Sequence, residues 1–316
     1  MKKFLLRTLL FCLIPLPVLF FLDHAVTKGL HQSRYLYYGE WSDLFGGRIN
    51  ADVLIMGTSR AYVHVSPKIL DSMLVANSYN LGADGASVDL QQGILKLYLQ
   101  HNKKPKYILQ EVGYPTFVRS QPTQYFQAFK AYMHDTAVWR ILQQHYPQIG
   151  LMDKYAPLYA YNDDLALMKE GLMSYMGRGA KDLKYKGYEG RAYPWDSSFY
   201  QFKEVNPKGK IMKIDTEMVR QFNNYLTWCR ASDIKVILFI APTYYESVSY
   251  ILNFSKVQEI VTDCAKSHRM VLLDYTADSL SMNRDYFYNS QHLNKKGAEL
   301  FSIKLANDIK LRTYIP

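Results

Sequence analysis

Cysteine is scarce in this chain, three residues in 316, and their positions make no spacing that a metal site uses. Neither a metal nor an organic cofactor is expected. Cys12 falls in an apolar segment, while Cys229 and Cys264 fall on the apolar faces of two expected helices. Those two are either a disulfide or a pair of small buried thiols. Basic helices and nucleic-acid motifs are also missing, although the formal charge is +10; the lysines are scattered, so nucleic acid is not an expected partner. No small-residue cleavage site follows the first apolar run, because the chain continues Asp23-His24-Ala25-Val26-Thr27. Nothing in the composition suggests disorder, and 48% apolar residues suffice for one elaborated core.

What is present begins at the amino terminus. Lys2, Lys3 and Arg7 flank an apolar run from Thr8 to Leu22, the pattern of an export signal or anchor with its amino end inside. A helix from Phe4 to Leu22 spans about 28 Å, against a hydrocarbon core of about 30 Å. Residues 1–22 are therefore expected as a retained membrane anchor, with a cleaved signal peptide as the alternative. The body then faces the periplasm or the extracellular side, and residues 23–50 read as a connector.

From residue 51 onward strand and helix patterns alternate. Strands are expected at 52–56, 78–81, 107–112, 235–240 and 270–273. Between and after them, Ser66-Pro67 opens one helix. Leu90, Ile94, Leu97 and Tyr98 recur at helical spacing, as do Met218, Phe222, Tyr225 and Cys229. Ser255 with Gln258 reads as a capping box, and Asn294 caps a last helix carrying Ala298, Phe301, Leu305 and Ile309. Such alternation predicts an α/β fold: three layers, α/β/α, around about five parallel strands. The domain covers 51–316, with an insertion at about 117–210 that is rich in Tyr, Gln, Lys and Gly. That insertion is either a lid or substrate wall, or a structural elaboration. Twenty-seven tyrosines add a heavy aromatic load of the sort that lines sugar-binding surfaces.

In a parallel sheet, Ser59, Gly85, Gly113, Pro242 and His292 each follow a strand and share its carboxyl edge, where open α/β folds place their chemistry. Ser59 is the candidate nucleophile. Serine attacks an ester carbonyl only when a base removes its proton, and an imidazole suits that task. His292 is the candidate base.

Two stretches carry a resemblance. Gly57-Thr58-Ser59 and Asn289-Ser290-Gln291-His292, the latter continuing Leu293-Asn294-Lys295-Lys296-Gly297-Ala298, resemble the first and last motifs of the SGNH, or GDSL-like, hydrolase superfamily. They look most like its membrane-anchored branch of polysaccharide O-acyltransferases. The resemblance covers roughly 50–115 and 215–311. It implies a flavodoxin-like fold and a serine acyl-enzyme that moves an acyl (acetyl) group to or from hydroxyls of a cell-surface polysaccharide. The implied partners are that surface glycan and a membrane-bound protein that supplies the acyl donor. Ser59 and Gly85 would give oxyanion N–H groups. The family's third donor, an asparagine, is absent from Gly113-Tyr114-Pro115-Thr116, and Asn289 stands where the family has an acid. Arg60, Thr116 and Asp285 are candidate substitutes. The rival readings are a glycan carboxylesterase (deacetylase) and a catalytically degenerate glycan-binding or assembly protein.

Overall fold

The computed structural model describes residues 1, 3–4, 15–119, 127–181 and 184–313. The chain divides into two compact units, Met1–Gly46 with Pro122–Asp182, and Gly47–Gln121 with Leu183–Pro316.

The second unit is built on a five-stranded sheet: β1 Val53–Met56, β2 Ser78–Asn80, β3 Tyr107–Glu111, β4 Lys235–Ile240 and β5 Val271–Asp274, in the order β2-β1-β3-β4-β5. Every pairing is parallel. All five strands predicted from the sequence are present, because runs such as Val53-Leu54-Ile55-Met56 have no polar face and must be covered on both sides. Val53, Ile55, Leu109, Ile237 and Phe239 share one core with Phe301, Leu305 and Ile309 of the helix Lys295–Thr313 and with Leu70 and Leu74 of the helix Pro67–Leu74. Gln110 points the other way. Its amide donates to Gln91 of the helix Val88–His101 at 2.8 Å and accepts from Tyr225 of the helix Thr216–Ala231 at 2.9 Å, so the sheet's second face is also covered.

Several local details differ from the sequence reading. The helix Phe254–His268 has Asn253 at its N-cap, which puts Ser255 inside the first turn rather than at a capping box. Cys229 and Cys264 are both free and buried. A short helix, Ser59–His64, follows β1, and a small antiparallel hairpin, β6 Phe287–Asn289 with β7 His292–Leu293, precedes the last helix. Asn294 does act as the expected cap, its Oδ1 accepting Gly297 N–H at 3.0 Å. The segment expected as one insertion divides: residues 122–182 belong to the first unit and 183–210 to the second.

Most of residues 23–50, expected as a connector, fall in the first unit and carry helices. The helix Pro15–Leu30 runs through the first part of them, and Tyr38–Phe45 is a second helix. Gly29 meets Gly171 of the helix Leu165–Tyr175 so closely that a Cβ on Gly29 would fall 1.8 Å from the Gly171 carbonyl oxygen. Two glycines thus set this helix crossing. Residues 2 and 5–14 of the expected anchor lie outside the described residues; among the described ones, no helix is long and apolar enough to cross a membrane. Many tyrosines serve the interior: Tyr38, Tyr62, Tyr98, Tyr161 and Tyr225 are among the largest fully buried side chains.

Candidate active site

Gly57 turns the chain after β1 with φ +143°, where L side chains are strained, and a Cβ there would lie 2.6 Å from Glu111 Cβ. This close approach lets the end of β3 clamp the serine turn. Glu111, fully buried, accepts at Oε2 from Thr58 N–H at 3.1 Å and from Thr58 Oγ–H at 2.8 Å. Thr58 in turn caps the helix Ser59–His64 by accepting Arg60 N–H at 3.4 Å. Ser59 is held by its neighbours on both sides.

The hairpin supplies the base. Asn289 Oδ1 accepts the N–H groups of Gln291 and His292 at 3.0 and 2.9 Å, which fixes it as the amide oxygen rather than the nitrogen. The same oxygen lies 3.0 Å from His292 Nδ1, so Nδ1 carries the proton and the lone pair sits on Nε2. Nε2 is 2.7 Å from Ser59 Oγ. The serine hydroxyl therefore donates to the imidazole, the arrangement needed for proton removal on attack.

Two further contacts hold the ring in place. Tyr288 stacks on His292 with centroids 5.4 Å apart and planes within 5°, and the Tyr288 hydroxyl accepts from Arg191 Nη1 at 3.1 Å. On the serine's own helix, fully buried His64 accepts Leu293 N–H at its Nε2, 3.0 Å away. Ser302 Oγ, on the last helix, donates to the His64 carbonyl at 3.1 Å. The helix that begins with Ser59 is thereby pinned to the strand that begins with His292.

Burial, and after it the positive charges of Arg60 and Arg191, lower the His292 pKa to about 3. The ring is neutral near pH 7 and able to accept a proton. It is also a weak base, since Asn289 orients it without a charge to stabilise the imidazolium. Burial likewise holds His64 well below the usual histidine range, with His292 and Arg60 as lesser causes.

The other expected site residues separate. Arg60, 6% exposed, pairs with Glu111 Oε1 at 3.1 Å and reaches Thr243 Oγ1 at 3.4 Å. Its guanidinium lies where a side chain on Gly113 would be, 1.9 Å from that glycine's notional Cβ. Gly85 takes φ +67° in the turn after β2, and its backbone hydrogen-bonds the Asp84 carboxyl. Thr116 is not a substitute partner for His292. Its hydroxyl accepts Gly113 N–H at 3.2 Å and closes the turn after β3. Asp285 lies before β6, its backbone carbonyl accepting Asn294 Nδ2 at 2.8 Å, and the oxygen that meets His292 Nδ1 is that of Asn289. Glu111, Tyr288 and Arg191 went unnoticed in the sequence, where each is an ordinary residue of a strand, hairpin or loop, and His64 fell in no pattern that gave it a role. No group of metal-ligating side chains occurs among the described residues.

Solved structures similar to this chain include three acylhydrolase-like proteins. One from Desulfitobacterium hafniense, described as a lipolytic protein of the G-D-S-L family, shares 11% identity, with 81% of this chain and 97% of that one covered and a TM-score of 0.42. A GDSL-like lipase from Bacteroides thetaiotaomicron shares 11%, covering 81% and 87%, with a TM-score of 0.36. A protein from Bacteroides fragilis described as an acylhydrolase shares 12%, covering 82% and 88%, with a TM-score of 0.37. No protein-family model and no curated protein matches the chain. The functional reading accordingly rests on the site geometry.

Proposed function

We propose that this chain moves an acyl group through Ser59, as a serine acyltransferase or esterase of the SGNH-like kind. The observation that carries this reading is the linked set Ser59 Oγ to His292 Nε2 at 2.7 Å and His292 Nδ1 to Asn289 Oδ1 at 3.0 Å. Ser59 Oγ forms a bond to the ester carbonyl carbon while its proton passes to His292 Nε2. The tetrahedral intermediate then expels the alcohol, which takes that proton. An acceptor hydroxyl or water repeats the attack, leaving as a new ester or a free acid and restoring the serine. Oxyanion stabilisation falls to the N–H groups of Ser59 and Gly85 and to the Arg60 guanidinium, whose place against Gly113 supports it as stand-in for the absent asparagine.

The physiological acceptor or source is a hydroxyl of a cell-surface polysaccharide, and the chain works outside the cytoplasm, tethered by its amino-terminal segment. The sequence pattern of Lys2 to Leu22 and the resemblance to anchored acyltransferases support this placement. A membrane protein that passes the acyl donor across is the implied partner.

A fluorophosphonate probe and a chromogenic acetyl ester, each offered with and without an oligosaccharide, test the reading. Labelling at Ser59, lost in Ser59→Ala, and acylated sugar are the expected results. Labelling with free acid alone makes the chain an esterase. One observation favours a non-catalytic reading, namely that no charged partner contacts His292 Nδ1 in the described site. Glycan binding without any labelling would establish that reading.

A further inference from the structure

Next to the pair, lined by its chain neighbours and not by Ser59 or His292 themselves, lies a cavity of about 230 Å³. Arg60, the residue after Ser59, and Ser290 with Gln291, between Asn289 and His292, form the wall on that side. Gln291 is exposed, so the wall it contributes reaches the surface. The rest is mostly apolar: Pro115, Phe199, Phe202, Met212, Ile251 and Phe254. Phe199 and Phe202 come from the helix Ser198–Val205, in the segment whose tyrosine-rich sequence left open a wall or a mere elaboration.

Three hydroxyls of the lining are engaged by the protein, and Arg60, Tyr114, Ser290 and Gln291 are its remaining polar residues. Ser198 Oγ donates to Asp196 at 2.6 Å, Ser247 Oγ to the Ser290 carbonyl at 3.3 Å, and Thr243 Oγ1 accepts from Arg60 at 3.4 Å. What these walls offer a ligand is therefore mainly apolar surface, with the polar residues gathered at the side of Arg60 and Gln291. At roughly 30 Å³ for a group the size of a water or methylene, the space holds about seven such groups. An acetyl methyl would leave most of it empty.

We propose that this cavity is the acyl-chain subsite, and that the group carried by Ser59 is a medium-length aliphatic acyl chain of about six carbons, rather than acetyl. The assignment rests on Ser59 being an acyl carrier and names the substrate class of that site. Apolar burial gives about fourfold in kcat/KM for each methylene that enters, when the contact is present in the transition state.

Steady-state kinetics of the full chain on p-nitrophenyl esters from acetate to decanoate test this. The expected kcat/KM rises on the order of 100-fold from acetate to hexanoate and falls beyond octanoate. Met212→Trp, which fills the cavity, lowers the hexanoate-to-acetate ratio at least tenfold. Met212→Ala, which widens it, moves the optimum to longer chains. A profile that peaks at acetate overturns the subsite, as does a ratio that neither variant moves. Fluorophosphonate labelling of Ser59 separates the two claims. Labelling with an acetate optimum removes the subsite alone, whereas absent labelling removes the acyl-enzyme reading and the subsite with it.

Discussion

Asn289 holds the His292 ring with the same amide oxygen that accepts two backbone N–H groups of its own turn. An aspartate would make all three bonds and add a charge. Asn289→Asp should therefore leave the hairpin intact, raise the His292 pKa and increase kcat/KM by one or more orders of magnitude. The opposite swap in a Ser-His-Asp triad costs about 10⁴. Esterase kinetics across pH check this, with the acid limb of the variant moving towards neutrality.

The pH profile of the natural chain follows from the same residue. With His292 lowered to about 3, the ring is deprotonated well below pH 6. The kcat/KM of the free enzyme should stay flat where an ordinary histidine base has already lost activity. An acid limb near pH 6.5 would contradict the burial of the ring, and after it the placement of Arg60 and Arg191 beside it.

Arg60 and Gly113 make a second test, because the guanidinium lies where any side chain at 113 would go. Gly113→Ala should displace the guanidinium and strain its pairing with buried Glu111, so stability in urea is measured beside the kinetics. If Arg60 is the third oxyanion donor, kcat falls by about 10²–10³ with a small change in KM. Equal losses in Gly113→Ala and Arg60→Gln, with no further loss in the double variant, would tie the effect to the guanidinium.

Glu111 is fully buried and pairs with Arg60 while accepting both Thr58 donors. Glu111→Ala leaves a buried cation and two donors unpaired, so unfolding in urea should show a loss of about 3–5 kcal/mol. Glu111→Gln keeps an oxygen for Thr58 and should lose less.

His64 links acid stability to the site. Its folded pKa, like that of His292, lies below the unfolded value, so the unfolded chain binds more protons between that folded value and about 6.5. Stability from these groups is present above about pH 6.5 and is lost as pH falls through that window. Melting temperatures measured from pH 7.5 to 4.5 should fall, and His64→Gln, which offers Leu293 N–H an uncharged acceptor, should flatten the slope.

The strands were legible because a buried parallel strand has to be apolar along its whole length, and Val53–Met56 or Val236–Ile240 cannot be read otherwise. The helices were legible where one apolar face met the sheet. The helix packing within residues 23–50 was not, since the approach of Gly29 and Gly171 depends on two residues 142 positions apart and leaves no local period. The capping box at Ser255 was a local pattern that Asn253 displaced by two residues.

The sequence by itself determined the order of strands and helices, and with it the rim on which Ser59 and His292 both sit, because periodic burial is a one-dimensional property. It also carried the residue types, a serine, an imidazole and an amide in place of an acid. Only the tertiary structure decided which groups serve them: that Glu111 clamps the serine turn, that Arg60 takes the room left by Gly113, and that Phe199 and Met212 wall a cavity beside the pair. Those relationships join residues on separate elements, and they exist only once the chain has closed on itself and side-chain volume and charge compete for the same few ångströms.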